Sequence, residues 1–339
     1  TRCTSRRQRQ MCIRDRDNRS GNRDIYAQRV DGAGTARWMT DGVAVCTAAG
    51  PQYGPTILSD GAGGTIVTWY DYRGSDYDVY VQRLDAAGTS RWTADGAPLC
   101  TETGHQVCPE IVSDGAGGAI VTWYDYRSGN YDIYAQRVNS AGTVQWTADG
   151  VAVCTETGDQ RHPVIVPDGA GGVIITWEDI RGGNYDIYAQ RVDAAGAVEW
   201  TTGGVAICTA ILGQYSPRIA PDGAGGAIVT WADGRGGNND IYAQRVDAAG
   251  TVQWTPDCVG VCTATVDQLS PEIASDGAGG AIVTWYDYRG GVFDIYAQRV
   301  DATGTVQWTP DGSAVCAAAG GQDLPKIVSD GVGGAVIAW

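Results

Sequence analysis

Few residues in this 339-residue chain could perform chemistry outside a repeated pattern. The two histidines are His105 and His162, and three glutamates, Glu110, Glu178 and Glu272, fall where the repeat described below carries other residues. Hydrolysis of a glycosidic bond needs two positioned carboxylates. These glutamates are therefore the candidates for a glycan-processing site.

The other motifs favour structure over catalysis. No His and Cys spacing is typical of zinc, and no nucleophile elbow or phosphate-binding loop occurs. Each Asp-Gly-Ala-Gly-Gly turn supplies a single Asp, whereas Ca²⁺ takes six to eight oxygens. We therefore expect no catalytic residue, no metal and no cofactor, with calcium as the alternative. The recurring Asp-x-Arg pairs are expected to fix turns by charge pairing, and a ring of substrate-carboxylate binders is the alternative.

A 54-residue repeat must position all of these residues. Trp69, Trp123 and Trp177 begin one tryptophan series with this spacing, which continues to Trp339. A second tryptophan series, from Trp38 to Trp308, and a cysteine series, from Cys46 to Cys316, keep the same register. Six units result. The tryptophans are expected to pack between units, and the series cysteines to be small buried side chains without a disulfide framework.

Each unit predicts four antiparallel strands. In the unit that begins at Gln106 they are expected at 109–113, 119–127, 131–138 and from 143 onward, with Gly- and Asp-led turns as tight hairpins. Repeated four-stranded units of this size are typical of a propeller. The sequence therefore predicts an all-β, six-bladed β-propeller over residues 17–339, with a string of small β-sandwiches as the alternative.

The two ends of the repeat predict how the ring closes. The chain starts after the second strand of one unit and stops at Trp339, within a second strand. N-terminal strands from Asp24 to Cys46 would complete a sixth blade by pairing with C-terminal strands from Ile327 to Trp339, and would remove exposed edges. The alternative is a fragment of a larger propeller.

The first 16 residues differ from the rest. They carry six Arg and one Asp in a chain whose formal net charge is −15. They have no apolar core of a secretory signal, resemble translated sequencing-adapter read-through, and are expected to be non-native or disordered, together with Cys3 and Cys12. The acidic balance argues against a nucleic-acid partner, and the short apolar runs argue against membrane insertion.

Differences between the units fall in two places, before strand one and at the end of strand two. A four-stranded meander places both at one end of each blade, here called the top face. Loops on a rigid scaffold commonly carry function, and neutral variation of exposed loops is the alternative. The predicted ligand-binding residues are Tyr53, Tyr70, Tyr72, His105, Tyr124, Tyr126, Arg161, His162, Tyr215, Arg218, Tyr286 and Tyr288.

The motifs Asp-Gly-Ala-Gly-Gly-x-Ile-Val-x-Trp, Asp-x-Arg and Asp-Ile-Tyr-Ala-Gln-Arg resemble tandem propeller-like repeats of large secreted bacterial surface proteins. The resemblance implies an extracellular or cell-surface, non-enzymatic module, monomeric, that binds a glycan or protein ligand. A weaker likeness to the sialidase Asp-box fails because Asp114 comes one place early and Trp123 too late. The alternatives are a glycan-processing enzyme with a top-face active site and an architectural spacer.

Overall fold

The structure is a computed structural model that describes residues 14–19, 21–256 and 258–339, with side chains from residue 17 onward. The described residues form 25 β-strands and no α-helix. No helix in this part of the chain could therefore cross a membrane. The chain divides into two compact units: one comprises residues up to 155 with 161–163 and 194–197, and the other comprises 156–160, 164–193 and 198–339.

Five four-stranded antiparallel sheets repeat along the chain, each in sequential order. This confirms the all-β fold class and its four-stranded propeller blades. The first two sheets are β4 Gln52–Ser59, β5 Thr65–Asp71, β6 Asp78–Leu84 and β7 Ala97–Cys100, then β8 Gln106–Ser113, β9 Ala119–Asp125, β10 Asp132–Val138 and β11 Val151–Cys154. The third is β12 Gln160–Pro167, β13 Val173–Asp179, β14 Asp186–Val192 and β15 Val205–Cys208. The fourth and fifth are β16 Gln214–Pro221, β17 Ala227–Asp233, β18 Asp240–Val246 and β19 Val259–Cys262, then β20 Gln268–Ser275, β21 Ala281–Asp287, β22 Asp294–Val300 and β23 Ser313–Cys316.

The terminal strands differ from the predicted closure. A three-stranded sheet holds β1 Arg14–Asp17, β2 Asp24–Ala27 and β3 Val43–Cys46, and a two-stranded sheet holds β24 Lys326–Ser329 and β25 Ala335–Ala338. β1 pairs with the edge of β2 that was predicted to meet the C-terminal strands. Asp17, which corresponds to the last residue of strand two in the other units, pairs with Asp24. The predicted non-native segment lies outside the described residues up to residue 13. Its last three residues belong to β1.

The fourth strand lies later than predicted. Residues 143–146 make only one isolated bridge, Val138 to Val144, and β11 begins at Val151. Backbone bonds hold the start of this segment, with Asn139 N donating to Thr143 O at 3.0 Å and Gln145 N donating to Arg137 O at 2.8 Å. A side chain holds its end: Gln136 Oε1 accepts from Trp146 N at 3.0 Å and Gln136 Nε2 donates to Thr147 O at 2.8 Å. The predicted tight turn after strand three is therefore present, and a loop held by the Gln136 amide separates it from β11.

The core lies between neighbouring sheets, as the tryptophan series predicted. Trp231 of β17 is fully buried in a cluster with Ile174, Ile187 and Ile207 of the preceding sheet. The second tryptophan series also links sheets, since Trp38 Nε1 donates to Ala86 O at 3.0 Å. Burying one tryptophan is worth about 4–6 kcal/mol before entropy is counted.

None of the series cysteines is disulfide-bonded, and all are buried except the partly exposed Cys316. This confirms the prediction that they do not form a disulfide framework. Cys108, outside the series, is disulfide-bonded. Cys3 and Cys12 lie outside the described residues.

Candidate functional site

The two variable regions of a unit lie side by side, as predicted. Within the sheets, Tyr53 is registered with Tyr70, and Val107 with Tyr124. The start of strand one and the end of strand two therefore present their side chains together at the top face of each blade.

A β-bulge at the start of strand one shapes this face. The register of β8 shifts between Val107 and Glu110, and residues at the bulge adopt positive φ. His162, Ser216 and Ser270 have φ of 52°, 55° and 49° there, a region that non-glycine residues rarely occupy. Bulges re-aim side chains, and such strain collects at functional sites.

In the first compact unit, Tyr131 organises one cluster. Its ring lies 5.0 Å from that of Tyr124 and 4.9 Å from that of Tyr126, and the guanidinium of Arg161 stands 4.9 Å from its centre. The His162 ring lies 6.0 Å from Tyr124. We call these five residues the Tyr131 cluster. The cluster contains an imidazole, a guanidinium and three phenols. Four of its five residues, all except Tyr131, were predicted as site residues.

Sequence reasoning missed Tyr131. The residue before each Asp-Ile-Tyr element varies as Arg23, Tyr77, Tyr131, Tyr185, Asn239 and Phe293. The variation at this position could have marked it as a site residue. Because the position was assigned to the start of strand three, it was not grouped with the variable residues of the top face.

A second cluster in the same unit surrounds Tyr77. The Tyr77 ring lies 5.2 Å from His105, and Tyr77 N donates to His105 Nδ1 at 3.3 Å. Burial raises the pKa of the Tyr77 phenol, and neighbouring Tyr53 adds to this effect. The other aromatic neighbours are Tyr70 at 5.3 Å and Tyr72 at 4.9 Å. The structure thus brings Tyr53, Tyr70, Tyr72 and His105 together.

The second compact unit carries buried glutamates. Glu178 is 6% exposed and accepts a hydrogen bond from Ser216 N at 2.7 Å. Glu272 is 5% exposed, accepts from Arg218 Nε at 3.2 Å and pairs with Lys326. Glu110, the third candidate, belongs to β8 in the other unit and is half-buried. Two of the three carboxylates are therefore buried within one compact unit.

The remaining predicted residues also line this end of their sheets. Tyr215 is 41% exposed with its ring 5.7 Å from that of Tyr185. Tyr286 and Tyr288 flank Phe293 at 4.8 and 5.1 Å.

The Asp-x-Arg pairs stabilise turns, as preferred from the sequence. Asp125 is fully buried, and its Oδ2 accepts from Arg127 Nη2 at 2.6 Å. The glycine-rich turns use their Asp in the same way. Asp60 Oδ1 accepts from Gly64 N at 2.7 Å, and its Oδ2 lies 3.0 Å from Arg83 Nη2. Burial opposes the Asp60 charge, yet these hydrogen bonds outweigh it and lower the pKa. Among the described residues, no group of three or more His, Cys, Asp or Glu could hold a metal ion.

No protein-family model and no curated protein matches the chain. Among solved structures, a PL25 ulvan lyase bound to a GlcA(1-4)Rha3S unit matches with a TM-score of 0.55 and 10% identity, over 90% of this chain and 80% of that one. An α-L-arabinanase from Penicillium chrysogenum matches with a TM-score of 0.46 and 13% identity, over 82% and 85%. A family-43 glycoside hydrolase matches with a TM-score of 0.38 and 11% identity, over 78% and 96%. These are likenesses of fold.

The comparisons correct two expectations, that the chain is a non-enzymatic binding or scaffold module and that it is not an enzyme. The ulvan lyase, whose fold matches most of the chain, is a glycan-processing enzyme, which favours the glycan-processing alternative.

Proposed function

We propose that the chain is a glycan-processing enzyme that cleaves a uronate-containing polysaccharide by β-elimination at the Tyr131 cluster. The observation that carries this proposal is the His162–Tyr124–Tyr131–Arg161 arrangement, built on a strained bulge of the top face. The fold shared with a polysaccharide lyase supports it.

The reaction needs three kinds of group, and the cluster offers each. Removing the proton on carbon α to a uronate carboxylate builds negative charge on that carboxylate, which a guanidinium stabilises through paired hydrogen bonds. Arg161 is proposed for this role. A neutral imidazole accepts such a proton at ordinary pH, which assigns the general base to His162.

The leaving oxygen takes a proton as its bond to carbon 4 breaks and the double bond between carbons 4 and 5 forms. Tyr124 holds a phenol beside His162 and is the proposed donor. Tyr126 is 42% exposed and offers a ring face on which a sugar can pack.

The test is to incubate the protein with acidic polysaccharides and follow the ultraviolet absorbance of the new unsaturated uronide. His162→Gly removes the imidazole without backbone strain, because Gly54 occupies the equivalent bulge position with φ of 57°. We expect His162→Gly and Arg161→Gln to lower kcat/KM by about 10²–10⁴-fold. His105→Asn, in the Tyr77 cluster, is the matched control and should keep wild-type turnover.

Activity retained in His162→Gly and Arg161→Gln would reject this site. No unsaturated product from any uronate polysaccharide, with folding confirmed by circular dichroism, would reject β-elimination.

A second candidate reaction is glycoside hydrolysis by Glu178 and Glu272. The observation that favours it is the burial of both carboxylates within one compact unit. Glu272, beside Arg218 and Lys326, fits the ionised partner of the pair, and Glu178 is the second carboxylate. New reducing ends without ultraviolet absorbance, lost in both Glu178→Gln and Glu272→Gln, would favour hydrolysis.

A further inference from the structure

We propose that Cys208 and Cys258 form a site of reversible oxidation, at which a peroxide joins two neighbouring sheets of the second compact unit by a disulfide. The site is independent of the proposed glycan chemistry. It rests on a departure from the repeat and on the packing of the two thiols.

The departure lies in one loop, before the fourth strand of a blade. Cys258 stands where the other five units carry glycine, namely Gly42, Gly96, Gly150, Gly204 and Gly312. Those glycines have φ between 88° and 94°. A Cβ at Gly204 would come within 2.6 Å of the Trp177 ring. This unit therefore has a side chain where the other five units have none. Cys258 adopts a positive φ of 65° at this position, as the glycines do.

The Cys258 side chain reaches the preceding sheet. Its Sγ lies 3.5 Å from the carbonyl oxygen of Ile207, the residue before Cys208 at the end of β15. The two thiols influence each other's ionisation, since Cys258 raises the pKa of Cys208 and Cys208 lowers the pKa of Cys258. Both side chains belong to one buried cluster, at 6% and 7% exposure. No other series cysteine has a second cysteine in the glycine position of the next unit.

A guanidinium completes the site. Arg235 Nη2 donates to Cys208 Sγ at 3.1 Å. The neighbouring Cys208 lowers the pKa of Cys258, burial opposes this shift, and the positive charge of Arg235 adds to it. Cations and hydrogen-bond donors beside a thiol favour the reactive thiolate. Cys258 is therefore the attacking thiol and Cys208 the resolving one.

The oxidation balances with hydrogen peroxide as the oxidant. The Cys258 thiolate attacks one peroxide oxygen, the O–O bond breaks, and protonation releases one water and leaves a sulfenic acid. Cys208 then attacks the Cys258 sulfur, the S–O bond breaks, and a second water leaves with the thiol proton. Two sulfur atoms lose two electrons and the peroxide gains them. A thiol reductant reverses the step.

The expected consequence is a covalent link between β15 and the loop that precedes β19. It closes a loop of about 50 residues, and cross-links of that length stabilise chiefly by restricting the unfolded chain. The oxidised protein should therefore melt roughly 5 °C higher than the reduced protein.

The experiment treats the folded full chain with hydrogen peroxide, alkylates remaining thiols under denaturing conditions, and maps peptides by mass spectrometry. We expect a peptide pair linked through Cys208 and Cys258, lost on reduction, and a melting shift that reductant reverses. Cys258→Gly restores the residue of the other units and should abolish both effects. Cys154→Ser, which removes a series cysteine with no such neighbour, should leave both intact.

Two results would overturn the proposal. One is that Cys208 and Cys258 both remain alkylatable after peroxide treatment. The other is that Cys258 is converted to sulfinic acid without forming the linked pair. If Cys208→Ser does not fold, Cys258→Gly alone decides the outcome, because glycine is the residue that this backbone conformation favours.

Discussion

Asp125 shows how one carboxylate organises a turn at the residue scale. Its Oδ2 accepts from Trp123 Nε1 at 2.9 Å and from Arg127 Nη2 at 2.6 Å, while Oδ1 accepts from Arg127 N at 3.0 Å. The Arg127 guanidinium also lies 3.9 Å from the centre of the Tyr134 ring. Removing the carboxylate would leave the buried indole N–H of Trp123 without its acceptor and would remove the ion-pair partner of the Arg127 guanidinium.

Asp125→Ala should therefore lower the free energy of unfolding by about 3–5 kcal/mol, as expected when one partner of a buried ion pair is deleted. Urea unfolding followed by tryptophan fluorescence measures this loss. Asp85→Ala is the control, because Asp85 pairs with the largely exposed Arg91. Equal midpoints for the two variants would show that the buried pair contributes no more than the surface one.

Unlike Asp125, which stabilises the folded state, Asp240 destabilises it when its carboxylate is charged. Burial raises its pKa to about 6, and the like charge of Asp233 adds to the shift, while Asn238 opposes it. Between the ordinary carboxyl pKa and about pH 6, Asp240 is therefore protonated in the folded state and ionised in the unfolded state. Stability linked to Asp240 is present at low pH and is lost as pH rises through about 6.

Asp240→Asn should raise the melting temperature at pH 7.5, where the native carboxylate is charged, and the gain should fade toward pH 4. Melting curves of both proteins across this range test the sign. Asp247→Asn is the control, since Asn139 occupies the equivalent turn in another unit and accepts the same two backbone bonds at 3.0 Å. A gain that does not vary with pH would exclude a titration of Asp240.

At the element scale, glycine positions decide how closely a loop approaches the strand beside it. Gly150 and Gly129 both have positive φ, 93° and 98°. A Cβ at Gly150 would lie 2.7 Å from the Trp123 ring and 3.0 Å from Ala135 O, whereas one at Gly129 would meet nothing within 4 Å.

Gly129→Ala should therefore cost only backbone strain, about 1–2 kcal/mol. Gly150→Ala should cost about 1–3 kcal/mol more, because the methyl group overpacks a closed interior. Denaturant midpoints of the two variants measure the difference, with far-ultraviolet circular dichroism as the check on folding. Equal losses of stability in the two variants would mean that the Trp123 ring moves aside without an energetic penalty.

Strands two and three were the elements most accessible to sequence reasoning. β9 and β10 pair without interruption from Asp132–Asp125 to Val138–Ala119, and their β-branched and aromatic residues suit a buried ladder. The fourth strand was misplaced because Gln136 binds the chain before β11 through its side chain, and hydrophobic alternation does not report such a contact.

At the scale of the whole molecule, the repeat predicted the blade and the variation predicted which end of the blade to examine. Tyr124 and His162 were named from that variation, and the structure brings their rings together. The Cys208–Cys258 contact was not predicted, because two residues 50 positions apart give no local pattern. The positive φ of His162 was equally hidden, since glycine occupies that position only in the unit of Gly54.

Net charge sets a further expectation for the whole molecule. A formal charge of −15 repels an acidic polysaccharide at long range, whereas Arg161 attracts a uronate only at contact. Raising ionic strength from about 0.01 M to about 0.1 M shortens the Debye length from about 30 Å to about 10 Å, which screens the long-range repulsion more than the contact pair. If the proposed β-elimination holds, kcat/KM should rise roughly twofold to fivefold over this range, while kcat, measured at saturation, should change little. Initial rates at several salt concentrations test this, with Arg161→Lys as the control that keeps the charge and loses the forked geometry. A steady fall in kcat/KM from the lowest salt would show instead that local positive charge governs the encounter, because only an attractive field weakens on screening.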